Sequence, residues 1–185
     1  MNPVCHLSRT EVVRNAGYSF VMTTCQTITI DYDEEMGNTR KLLERVPLDD
    51  AHRGYKPHDK SMPLERLATH VAQLPSWPKM ALASELFELK PGFKPLIAAS
   101  NAELLEIFDK SVEEGRASIA NATDAEMQKD WTFKFGDKFT FTQARTKVIR
   151  SFINHLVHHR AQLGVYLRLN DIAIPGMYGP SADEQ

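Results

Sequence analysis

The chain has 185 residues, of which 42% are hydrophobic and 25% charged, and a formal net charge of -2. That length suits one domain with a sizeable core, and no run of about 18 apolar residues points to a membrane span. Basic residues are interspersed with acids, which excludes a polyanion-binding block, so neither nucleic acid nor a membrane is expected as a partner.

Residues 1–32 read as an irregular N-terminal extension and residues 33–185 as a single domain. The apolar patch Phe20-Val21-Met22 is too brief for a secretory signal, whose apolar region spans about 7–15 residues. An irregular or cloned extension ahead of Met22 is expected rather than a targeting segment. Cys5 and Cys25 are spaced for neither a CxxC redox pair nor a zinc ribbon, which fits a reducing cytoplasm.

A first helix is expected from Asp33 to Val46, with acids at its start, Arg40, Lys41 and Arg45 near its end, and Pro47 as the stop. A loop rich in turn formers follows, from Asp49 to Lys60. Ser61 is the expected N-cap of a second helix, in which Leu64, Leu67, Val71 and Leu74 recur at helical spacing until Pro75. His70 lies on the flank of that stripe. Pro75, Pro78, Pro91 and Pro95 predict a wrapped connector from Ser76 to Ser100 with a short helix near Met80 to Leu86.

Ser100 or Asn101 opens a third helix carrying Leu104, Leu105, Phe108, Val112 and Ile119 down one face and ending near Asn121. From Thr132 to Thr142, apolar and polar residues alternate around Gly136-Asp137, the signature of a small hairpin. The last helix is expected to start from a capping box of Thr140 and Gln143. Its apolar residues, from Val148 through Phe152 and Leu156 to Leu167, continue to about Asn170. The tail from Asp171 to Gln185 should close the domain as an extended segment, so four helices dominate.

The last helix contains the run His155-Leu156-Val157-His158-His159. At about 100° per residue, His155 and His159 fall about 40° apart beside Val148, Phe152, Leu163 and Tyr166, whereas His158 falls off that arc. Neighbours at i and i+4 can chelate one divalent ion, and His70 on the second helix supplies a candidate third imidazole, leaving one position for water or substrate. Spacing alone leaves ordinary hydrogen-bonded core histidines as the alternative. Leu156 stands where the HExxH motif of metalloproteases carries glutamate, which disfavours peptidase chemistry. His6, His52, His58 and His158 are expected in loops or on outward faces, and Trp77, Trp131 and Tyr166 as packing residues. Glu65 and Asp171 are available carboxylates with weak claims to a general-base role.

The segments Asn154 to Arg168 and Ile174 to Glu184, with Arg45-Val46-Pro47, Lys56 to Met62 and Leu67 to Trp77 upstream, closely resemble the DinB-like family over about Asp33 to Glu184. The resemblance implies an all-α four-helix bundle of the DinB/YfiT-like type, with short connector helices and the small hairpin. It further implies a divalent metal, zinc or nickel, held by His70, His155 and His159. Relatives in that superfamily activate a low-molecular-weight thiol, or are regarded as metal-dependent hydrolases. The expected protein is therefore a metal-dependent thiol S-transferase or hydrolase, acting on a thiol and a small electrophile as a homodimer. The rival is a non-catalytic metal-binding or stress-response bundle, whose site would be closed by a fourth ligand such as His58 or a carboxylate. Haem ligation by two histidines lacks an attachment motif such as CxxCH.

Overall fold

A computed structural model of the chain describes residues 22–90, 92 and 94–184. The expected irregular extension therefore lies outside the described residues as far as position 21. Beyond it the expectation is corrected, because α1 spans Thr24–Leu43 and starts nine residues ahead of Asp33. Thr23 and Gln26 form a reciprocal capping box there, which satisfies two amide donors that the first turn leaves free. The Asp124 carboxylate accepts from the Thr24 and Cys25 amides, each at 3.2 Å. The β-branched run Thr27 to Ile30 is helical because Ile28, Tyr32 and Met36 are buried against the core, and burial outweighs a propensity cost of a few tenths of a kcal/mol per residue.

α2 spans Leu64–Gln73 and has no side-chain cap. The expected Ser61 cap is replaced by the preceding loop, whose Tyr55 and Arg53 carbonyls accept from the amides of Leu64 and Glu65 at 2.9 and 3.0 Å. A 3-10 turn, Leu74–Ser76, leads directly into α3, Trp77–Ala83. Pro75 and Pro78 thus open short helices rather than interrupt them, since a first-turn proline lacks only an amide that would be unpaired anyway. The expected helix at Met80 to Leu86 accordingly lies earlier, and Leu86–Leu89 forms strand β1.

α4 spans Asn101–Ala120, capped by the Ser100 hydroxyl accepting from the Glu103 amide. The short α5, Asp124–Met127, precedes β2, Asp130–Phe135, and β3, Phe139–Ala144. β2 and β3 are the expected hairpin, turning at Gly136 with φ +50°, and β1 adds parallel to β2. The fold is therefore mostly helical, as expected, with a small three-stranded sheet in which β1 extends the expected hairpin. α6 spans Arg145–Arg168. The expected capping box is not formed, because Thr140 and Gln143 pair with Lys134 and Trp131 in the sheet ladder.

α1 and α2 each pack on both α4 and α6, enclosing the main core, while Trp131, Ala81 and Val148 form a second cluster under the sheet. The Tyr32 hydroxyl donates to the Pro75 and Val112 carbonyls at 2.9 and 3.2 Å, tying α1 to the 3-10 turn and to α4. At that junction Gly115 lets the backbones meet: a Cβ there would stand 1.9 Å from the Pro75 carbonyl oxygen.

Candidate metal centre

α2 and α6 cross so that their histidines face one another. His155 and His159 stand one turn apart on α6 with ring centroids 4.5 Å apart, and His70 of α2 lies 5.4 and 4.8 Å from them. One ligand atom from each of the three lies within 4.8 Å of the others. The Nε2 atoms of His70 and His155 are 3.2 Å apart. Two nitrogens bound at about 2.0–2.1 Å to a tetrahedral zinc stand about 3.3 Å apart. The donor set therefore fits a divalent ion.

Electrostatics agree with that use. All three rings are half-buried. Burial pushes the His70 and His155 imidazoles down to about 4, with the neighbouring histidines adding to the effect. Burial also lowers His159, against the opposing effect of the hydrogen bond it donates to Gln162. At neutral pH the imidazoles are uncharged, as metal ligation requires. His159 Nδ1 lies 2.7 Å from Gln162 Oε1. The amide oxygen accepts, so Nδ1 carries the proton and Nε2 presents its lone pair.

The other histidines stay apart from this group. His158 is exposed, and its ring meets that of His159 edge-on at 5.0 Å. His52 pairs with Asp49 at 2.7 Å, and His58 Nδ1 accepts from the Lys60 amide. His6 lies outside the described residues. Among the described residues, no histidine, cysteine or carboxylate joins the three as a fourth member. Glu65 accepts from Arg53 at 2.7 Å instead, and Asp171 ends α6 in the left-handed region with φ 56°, where its role is to terminate the helix. Trp131 and Tyr166 are core residues, as expected, whereas Trp77 lies half-buried against His70 and His155. Reasoning from sequence missed Gln162, although its position three residues after His159 was the available signal.

A cavity of about 280 Å³ lies elsewhere, between α1 and the other face of α6, lined by Asp31, Glu34, Glu35, Arg150 and Tyr178 among others. None of the three histidines borders it.

Fold and site together define a mostly helical protein with a three-histidine cluster compatible with metal binding. The sequence profile of the DinB family matches residues 22–185: the chain belongs to the DinB family. Its fold is similar to that of a DinB-like protein from Bacillus cereus, at 18% identity and a TM-score of 0.64, covering 82% of this chain and 95% of that one. A DinB-like protein from Bacillus subtilis is similar at 18% identity and a TM-score of 0.60, covering 86% and 98%. Among curated proteins, no match is found. Among the described residues no helix is long and apolar enough to cross a membrane.

Proposed function

We propose that this protein is a metal-dependent enzyme of the thiol S-transferase or hydrolase type, with His70, His155 and His159 as ligands to zinc or nickel. The observation that carries the reading is the convergence of three neutral imidazoles without a fourth protein donor among the described residues. A bound divalent ion would supply Lewis-acid activation of a thiol or of water, lowering the pKa of either toward neutrality. The chain's own residues hold and shape that chemistry. Gln162 keeps the proton of His159 on Nδ1, and Trp77, backed by Phe152, lies against the rings of His70 and His155. In this reading α1, α2, α4 and α6 are the four members of a DinB/YfiT-type four-helix bundle. The protein works in the cytoplasm as a homodimer on a low-molecular-weight thiol and a small electrophile.

Elemental analysis of untagged protein tests the ligand set. About one metal per chain is expected, lost in His70→Ala, His155→Ala and His159→Ala and retained in His158→Ala. Equal loss from all four would refute the assignment. Metal-dependent turnover in a screen of thiol-transfer and hydrolytic substrates supports the enzyme reading. A metal-loaded protein inactive throughout both screens would favour the rival, a metal-binding or stress-response bundle.

A further inference from the structure

The histidine rings border an aromatic cluster. Trp77 lies 5.4 Å from His155 at a tilt of 37° and 5.8 Å from His70. Phe152 meets Trp77 edge-on at 5.3 Å, and buried Trp131 follows edge-on at 6.0 Å. Phe141 lies 6.2 Å beyond, with Phe133 stacked on it at 5.7 Å. Trp77, Phe152, Phe133 and Phe141 are only partly buried. In the sheet register Phe133 and Phe141 are direct partners and Phe87 pairs with Phe133, so all three share one face. The opposite face carries the Thr132–Thr142 hydrogen bond and the Lys134–Glu88 ion pair. A chain of aromatic contacts therefore starts at the candidate ligands with partly exposed Trp77 and Phe152 and continues through buried Trp131 to the core-facing side of the sheet. The charged cavity lies on the other face of α6 and offers this cluster nothing.

We infer that the substrate carries an aromatic or flat apolar body next to the atom that meets the metal, and that this body lies on Trp77 and Phe152. The inference rests on the metal-centre reading above and deepens it. Proximity argues for the occupant: Trp77 lies beside His70 and His155 and Phe152 beside Trp77, so a group extending from the histidines on that side meets these two rings. Aromatic side chains there reward an apolar planar group through burial and edge or offset stacking. A charged or strongly polar body would lose its hydration without compensation.

The test compares acetohydroxamate with benzohydroxamate, two metal-binding probes that differ in the body, on the zinc-loaded full chain by titration calorimetry. Metal content is checked before and after. Wild type should bind benzohydroxamate at least tenfold more tightly. Phe152→Ala and Trp77→Leu should bring the two probes to within threefold, by weakening benzohydroxamate more than acetohydroxamate. Phe152→Leu, which nearly preserves volume, serves in the same comparison should the alanine variant fail to fold. A tenfold preference that survives Phe152→Leu and Trp77→Leu overturns the assignment to these side chains. Equal binding of both probes by metal-loaded wild type overturns the aromatic contact and leaves the metal centre standing. Failure to bind zinc overturns the metal-centre reading and this inference with it, whereas zinc binding with neither hydroxamate taken up overturns the open coordination position and this inference but leaves the three-histidine ligand set standing.

Discussion

Gln162 holds the ring of His159 through one 2.7 Å contact on Nδ1. Partners of this kind fix the tautomer and orientation of a ligating imidazole, and their loss typically weakens metal binding about 10–100-fold. Gln162→Leu should therefore lower zinc affinity in competition with a chromophoric chelator, with unchanged stoichiometry at saturation. Gln162→Glu, which keeps the acceptor, should retain tight binding. A second residue-scale consequence concerns the metal-free protein. His70 and His155 sit at about 4 when folded, against an ordinary 6.5. Between those values the unfolded chain binds protons that the folded chain does not. Stability is thus fully present above pH 6.5 and falls as the pH drops toward about 4. Urea unfolding in the presence of a chelator should give a lower midpoint at pH 5 than at pH 7.5. A double His70→Gln, His155→Gln variant should flatten that dependence.

The elements meet where their backbones come closest. Gly115 of α4 faces the Pro75 carbonyl and the Tyr32 hydroxyl, and a Cβ there would stand 1.9 and 2.5 Å from them. Backbone cannot move aside as a side chain would, so Gly115→Ala should cost about 1–3 kcal/mol, despite alanine's better helix propensity. Thermal unfolding measures this; a neutral or stabilising result would mean that α4 shifts freely against the 3-10 turn. The same junction carries the α2 end with His70 and the α3 start with Trp77. Its effect on metal affinity reports how far the packing of α4 positions the site.

Across the whole molecule, Arg160 of α6 joins three segments. Its guanidinium, 4% exposed, pairs with Glu35 of α1 at 2.7 Å. It also donates to Thr39 and to the Tyr178 hydroxyl in the tail. Removing one partner from a buried pair costs about 3–5 kcal/mol, because the other charge stays buried and unmatched. Arg160→Ala should lower the unfolding free energy by about that amount in urea titrations. The tail is also fixed by Asp183, which receives both Arg168 nitrogens at 2.9 and 2.6 Å and the Ile174 amide at 2.9 Å.

Short-range pattern made much of this fold legible. The 3.6-residue period of α6 placed His155 and His159 on one face and His158 off it, because helix geometry depends on nothing outside the helix. Ser100 as the cap of α4 and the hairpin around Gly136 rest on equally local chemistry. Thr23 and Gln26 offered a legible cap for α1, masked by the β-branched residues that follow. β1 was not legible, since its partner β2 lies beyond α4 in the chain, and a four-residue strand is stable only once that neighbour is in place.

The helical periods, the i, i+4 histidine pair and the hairpin follow from residue order alone, since all of them are set by neighbours a few residues away. That His70 meets that pair, that Pro75 approaches Gly115 and that Thr140 joins a strand instead of capping a helix follow from the tertiary structure alone. Each depends on contacts between segments distant in the chain, or on competition between local hydrogen bonds and a sheet ladder completed elsewhere.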